Sequence, residues 1–314
     1  MIECEELRHA FGDREVLHGV SLRVPEGAVY GFIGPNGAGK TTTLRVLATL
    51  LVPTSGVARV AGLDVVADPV AVRRVVGYLP DNAGVYDRVT AEEYLAFFAA
   101  AAGLLPHARA RAVANVVELT ELGRLLDQEV SALSKGQRQR LQLARTLLHD
   151  PRVLILDEPA SDLDPRARIE LRLLLSELGR MGKTILLSSH ILTELADVCS
   201  WVGVIEGGRV VASGPIDEVQ AALRPGQRVR LRVLARAAEL GELLGRLPFV
   251  RGVRALEPPT AEGAGGVEVT YEGDEARVAE LVRAVTAEGV PLVGVEAERR
   301  DLERLFMSVT EGGK

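Results

Sequence analysis

Cysteine, lysine and long apolar runs are what this chain has little of, and each scarcity removes a class of explanation. Two cysteines occur in 314 residues, Cys4 and Cys199, far apart and without metal-ligand spacing. They read as free thiols of a reducing compartment, with no redox or zinc role. The most nearly apolar run, residues 95–105, falls well short of the ~20 residues that cross a bilayer. The opening Met1-Ile2-Glu3-Cys4-Glu5 is not a secretory leader, so a soluble, intracellular chain is expected. A net charge of −6, with arginines scattered among acids, argues against a nucleic-acid surface. Lysine occurs only as Lys40, Lys135, Lys183 and Lys314, which makes a lysine inside a glycine-rich loop conspicuous. What is present is a 47% hydrophobic composition, enough for one large domain and a small one.

That loop is Gly34-Pro35-Asn36-Gly37-Ala38-Gly39-Lys40-Thr41-Thr42, which fits the P-loop pattern G-x-x-x-x-G-K-[ST]. Residues 28–33 before it read as a short buried strand, and residues 41–50 after it as a helix with Leu44, Leu47 and Ala48 on one face. Glycines at such a turn let backbone N–H groups and the helix N-terminus approach a polyphosphate closely. Lys40 supplies a mobile cation for the β and γ phosphates, and the Thr41 hydroxyl can ligate Mg²⁺. By itself the loop indicates a nucleotide and nothing finer.

Two further segments sharpen this. Residues 153–158, Val-Leu-Ile-Leu-Asp-Glu, form a hydrophobic strand ending in two acids, the Walker B arrangement. Asp157 is placed to hold Mg²⁺, directly or through water, and Glu158 to polarise an attacking water. Leu133-Ser134-Lys135-Gly136-Gln137 precedes a helix over about 137–149. It offers a hydroxyl, a cation and glycine-permitted N–H groups at a helix N-terminus, which suits either a second anion site or a plain helix cap.

Leu-Ser-Lys-Gly-Gln resembles the L-S-G-G-Q signature of ATP-binding cassette ATPases, and its place between P-loop and Walker B is that family's order. Lys135 stands where glycine is usual, as in subunits that drive ABC-2-type exporters. The resemblance spans residues 2–222 and implies a P-loop α/β cassette with a RecA-like core, an antiparallel β-subdomain and a helical subdomain over about 88–150. It also implies roles: Phe11 stacks on adenine, Asn36 and Thr42 join the phosphate cradle, and 160–164 form the D-loop that communicates across a dimer. His190 is the switch histidine at the γ-phosphate, and Ser134, Gly136 and Gln137 close over the nucleotide of a second copy. Asp81 occupies the Q-loop position, where the family has Gln or Glu; it keeps an acceptor for Mg²⁺ but loses the amide donor and has a shorter reach. The implied cofactors are ATP and Mg²⁺. The implied partners are a second copy and a separate membrane permease docking beside Asp81 and the helical insertion, with the subunit peripheral on the inner face of the cell membrane. A soluble cassette ATPase working on ribosomes or DNA is the alternative; such relatives usually carry paired cassettes or long coiled coils, and this chain has one cassette and no sustained heptads.

Further strands are expected at 75–79 and 184–187, a hairpin at 201–205 and 209–212 around Gly207-Gly208, and helices throughout 90–149. After the turn cluster Leu223-Arg224-Pro225-Gly226, residues 223–314 carry no nucleotide motif. Strands at 228–234, 250–256, 266–271 and 291–295, with helices at 237–247 and 275–288, give the order βαββαβ of a small α+β ferredoxin-like domain. Residues 258–266 read as a loop. A final helix is expected at 301–309, with Asp301 as cap and Leu302, Leu305, Phe306 and Val309 as its apolar stripe; its residues 301–306 resemble the end of the small domain carried by ABC-2-type subunits of the drug- and sodium-exporter kind.

Overall fold

The computed structural model describes residues 1–297 except 82–83, 85, 87, 162, 192–196, 223–226, 257–264 and 274. It divides into two compact units, Met1–Val219 and Gln220–Lys314.

The first unit opens with β1 (Ile2–Phe11) and β2 (Arg14–Val24), an antiparallel pair around a tight turn. After β3 (Val29–Ile33) and α1 (Lys40–Leu47) come β4 (Ser55–Val60) and β5 (Leu63–Asp64). Together β2-β1-β4-β5 make an antiparallel sheet. α1 stops short of the expected residue 50, because Thr49 turns left-handed (φ 60°) and Leu50 faces solvent. A short helix the sequence reading did not separate, α2 (Pro69–Val75), has proline in its first turn and runs directly into β6 (Val76–Leu79).

The core is a six-stranded sheet in the order β10-β9-β3-β8-β7-β6, built with β7 (Val153–Leu156), β8 (Thr184–Ser189), β9 (Trp201–Glu206) and β10 (Arg209–Pro215). β9, β3, β8, β7 and β6 run parallel, and the β9–β10 hairpin adds one antiparallel edge. Every residue of β7 and β8 is buried, and alternate residues go to opposite faces. Leu154, Leu156, Ile185 and Leu187 join the core shared with the helical insertion. Val153, Ile155 and Leu186 join the core shared with the antiparallel sheet and α1. A strand covered on both faces has no polar side to display, which is why the sequence there is an unbroken apolar run.

Between β6 and β7 lie α3 (Ala91–Ala101), α4 (Pro106–Leu119) and α5 (Lys135–Leu147), with no strand among the described residues. α3 begins in a full capping box between Thr90 and Glu93. α5 starts two residues before the expected position, for the same reason: Ser134 caps it. Two elements follow that the sequence reading left undivided, α6 (Pro165–Arg180), capped by Asp164, and α7 (Ile216–Ala222). Both cysteines lie free within the core, and burial pushes each thiol up to about 12.

The second unit contains β11 (Gln227–Val233), α8 (Ala237–Gly245), β12 (Val250–Ala255), β13 (Gly265–Tyr271), α9 (Glu275–Ala287) and β14 (Leu292–Ala297). Its sheet order β12-β13-β11-β14, antiparallel throughout, is the ferredoxin-like arrangement. Val229, Leu231, Val267 and Val269 on one face pack with Leu240, Leu244, Leu281 and Val285 of the two helices. The expected helix at 301–309 and most of the expected loop at 258–266 lie outside the described residues; Gly265 and Gly266 belong to β13.

One packing detail sets a limit on the central sheet. The Tyr30 side chain crosses β9 to reach Ser213 on β10, 2.7 Å from hydroxyl to hydroxyl. It passes over Gly203, where a Cβ would stand 2.1 Å from the Tyr30 oxygen. Gly203→Ala is therefore expected to destabilise the protein by about 1–3 kcal/mol, as overpacked cores do, with the loss read from chemical denaturation midpoints.

Candidate functional site

The carboxyl ends of three neighbouring parallel strands, β3, β8 and β7, meet at one cleft of about 540 Å³. It is lined by Phe11, Arg14, Val16, Asn36, Gly37, Gly39, Lys40, Thr41, Thr42, Asp81, Glu158, Ser161 and His190. Open parallel sheets bind ligands at this edge because the loops there carry helix N-termini. Larger depressions beside the helical insertion are lined mainly by aliphatic side chains with scattered charges of both signs, and lack such a loop.

The loop between β3 and α1 is shaped by its glycines in two different ways. Gly37 and Gly39 are left-handed (φ 83° and 106°), a conformation other residues resist. Gly34 is not left-handed; its reason is space, since a Cβ there would lie 2.4 Å from the Ile205 carbonyl. That corrects the sequence reading, which gave all three glycines one role. Gly37 has open space where a Cβ would be, so the loop's tip is clear for a ligand. The Gly34 N–H donates to Ser189 O at 3.2 Å, joining the loop to the end of β8.

Lys40 is buried at the start of α1. Its ammonium donates to the carbonyls of Gly34 at 2.6 Å and Pro35 at 3.2 Å, and it lies 3.2 Å from Glu158 Oε1. Asp157, at the end of β7, is 1% exposed. Its Oδ1 accepts from Thr41 Oγ1 at 3.1 Å and from Ser188 Oγ at 2.7 Å, and its N–H donates to Leu79 O on β6. A carboxylate buried this deeply needs such donors to replace its lost hydration. These hard oxygens suit a small divalent cation.

Glu158 follows in a left-handed conformation (φ 47°), which is uncommon for a non-glycine residue and costs ~1–3 kcal/mol. The Ser188 hydroxyl accepts its N–H at 2.8 Å and so holds the turn. The turn aims the Glu158 carboxylate between two partners: Lys40 on one oxygen and His190 Nδ1, 2.9 Å away, on the other. His190 is partly exposed at the cleft wall.

Phe11 ends β1, is 51% exposed, and lines the cleft. Asp81 lines the cleft and is exposed. Ser134, Gly136 and Gln137 do not line it. Ser134 Oγ accepts the Gln137 N–H at 3.3 Å while Gln137 Oε1 accepts the Ser134 N–H at 2.9 Å, a reciprocal cap of α5. α5 is tied to the turn after β7 through Gln139 Nε2 donating to Pro159 O at 2.9 Å. Of the expected D-loop, Ser161 lines the cleft and Asp162 lies outside the described residues.

The family model described as ABC transporter matches residues 17–161. The daunorubicin resistance ATP-binding protein DrrA3 of Streptomyces coeruleorubidus is 37% identical over 313 residues, covering 96% of this chain and 92% of that protein. The chain belongs to the ABC transporter family. The ABC transporter ATP-binding protein NatA of Bacillus subtilis (strain 168) is 36% identical over 71% of this chain and 93% of its own length. A solved ATP-binding subunit of an ABC transporter superposes with TM-score 0.64 at 31% identity, covering 71% of this chain and 92% of that one. The cassette is thus a nucleotide-binding ATPase of a transporter, with the fold of its family. No helix among its described residues is long and apolar enough to cross a membrane.

Two residues that line the cleft, Arg14 and Val16, and one buried residue that holds its acids, Ser188, escaped the sequence reading. Ser188 left a signal, a hydroxyl pair closing the apolar run of β8, where a buried strand end has no reason for serine unless something polar meets it. Arg14 and Val16 reach the cleft only because β2 folds back on β1. Ser188→Ala would remove one donor from Asp157 and the acceptor of the Glu158 N–H together. We expect about 1–3 kcal/mol of lost stability and a weaker response of ATPase activity to added Mg²⁺, measured by denaturation and a Mg²⁺ titration.

Proposed function

We propose that this cassette is the ATP-binding and hydrolysing subunit of an ABC-2-type exporter, closing head to tail with a second copy around two nucleotides to drive a separate permease. The observation that carries the reading is the convergence of Lys40, Glu158 and His190 in one cleft from which Ser134 is absent. The cleft then has a phosphate cradle and a base but only half its walls. The signature segment, capped and exposed at the N-terminus of α5, is available to cover the cleft of another copy.

In this reading Gly34, Asn36, Gly37, Gly39, Lys40 and Thr42 cradle the phosphates, and Phe11 takes the adenine. A polyphosphate in the cleft competes with Glu158 and the loop carbonyls for the Lys40 ammonium, leaving the Glu158 carboxylate free to orient the attacking water. His190 then spans Glu158 and the γ-phosphate. Thr41 and Asp157, with Asp81 at the cleft wall, would hold Mg²⁺, whose charge offsets that of the phosphates. Catalysis rests on positioning and charge stabilisation of a loose phosphoryl transition state. Ser134, Gly136 and Gln137 act in the partner's site.

Residues 1–222 form the ATP-binding domain, with the helical subdomain at about 88–150. Residues 223–314 form an accessory domain that supports or regulates the dimer. The names of the relatives, which include daunorubicin resistance proteins, favour export, and the cargo is selected by the permease. The subunit would sit in the cytoplasm, peripheral on the membrane through that permease.

Glu158→Gln is expected to lower turnover by roughly 10²- to 10⁴-fold, the usual worth of a general base, while ATP still binds and a closed dimer accumulates. Phosphate release and size-exclusion chromatography read the two effects; near-normal hydrolysis would falsify the base assignment. Co-expression with an ABC-2-type permease from the same source is expected to move the cassette into the membrane fraction, whereas recovery with ribosomes or DNA would sink the transporter reading.

A further inference from the structure

The alternation of β1 puts Leu7, His9 and Phe11 on one face of the strand. Leu7 is fully buried and His9 is 7% exposed, whereas Phe11 at the strand's end is 51% exposed and lines the cleft. Neither ring nitrogen of His9 has a hydrogen-bond partner among the described residues. A buried imidazole without partners is unfavourable, and an aliphatic side chain would fill the same core position at no such cost.

The directed contact His9 does make is with Phe11. The ring centroids lie 4.6 Å apart with planes at 80°, the edge-to-face arrangement that aromatic quadrupoles favour. The backbone beneath both rings is pinned on either side. Ala10 N–H donates to Thr54 Oγ1 at 3.1 Å, and Phe11 pairs with Arg14 across the hairpin. The Phe11 side chain itself is a half-exposed ring at a hairpin end, and its edge-to-face contact with a buried ring is with His9.

We infer that His9 is a positioning residue for nucleotide recognition, holding the Phe11 ring in the orientation that receives the base. The inference rests on the reading of Phe11 as the base-stacking ring. His9 touches neither phosphate nor metal groups in this account; it acts on affinity through the ring it holds.

The test compares two ligands on the intact chain: ATP, which has a base, and inorganic tripolyphosphate, which has none. His9→Leu fills the core but offers no aromatic edge, and is expected to weaken ATP binding by about 3- to 10-fold, the scale of one aromatic contact. Tripolyphosphate affinity should stay within about twofold, and the kinetic loss should fall on KM rather than kcat. The same split is expected of His9→Gln, while His9→Phe, which keeps an aromatic edge, should restore ATP affinity. Equal weakening of both ligands, or no change for ATP in the His9→Leu and His9→Gln proteins, would overturn the role of His9. Phe11→Leu separates the two levels. Unchanged ATP affinity in that protein removes the stacking reading itself, whereas a loss there without one in the His9 variants removes only the positioning role.

Discussion

The buried carboxylate of Asp157 is the constraint on which the rest of the site depends. It sits at the end of a strand covered on both faces, 1% exposed, where an unpaired charge would be intolerable. Thr41 from α1 and Ser188 from β8 donate to the same oxygen, and its own N–H ties it to β6. Three crossover connections are thereby drawn to one point. The phosphate loop, the acidic turn after β7 and the end of β8 are parts of one hydrogen-bonded assembly, so a shift in any of them is felt by the others.

Glu158 shows what that assembly supports. Its left-handed backbone is unfavourable in isolation, and the Ser188 hydroxyl and the Lys40 and His190 side chains hold it there. The same serine thus stabilises the buried acid as donor and the strained turn as acceptor. Glu158 is placed between a lysine and a histidine and is 14% exposed; in the proposed function it would exchange partners when a polyphosphate enters. The signature helix, by contrast, is complete in itself: Ser134 and Gln137 satisfy each other's backbone groups. This makes it a stable surface to present elsewhere, and Gln139 fastens its first turns to Pro159 beside the acidic turn.

Legibility followed how local each cause was. Gly37 and Gly39, Lys40, Thr41, Asp157 and Glu158 lie in short segments whose residue types are set by neighbours in the chain, and their spacing could be read directly. The βαββαβ order of the second unit was legible for the same reason, because its strands alternate and most of its turns carry a glycine or proline. α2, α6 and α7 were not separated, since α2 runs straight into β6 without a turn signal and α6 follows the acidic loop closely. The steric reason for glycine at Gly34 was not legible, because its neighbour, the Ile205 carbonyl, is distant in sequence.

The sequence by itself determined the chemistry: a phosphate loop, two acids after a buried strand, a signature segment and a histidine in one order, since these depend on residue type and short spacing. Only the tertiary structure decided their partnerships. Asp157 receives two hydroxyls from different elements, Glu158 is shared between Lys40 and His190, Phe11 leans on a buried His9, and Ser134 caps its own helix away from the cleft. The contacts of Asp157 and Glu158 join segments far apart in the chain, and parallel strands linked by long crossovers bring such segments together only when the sheet is assembled.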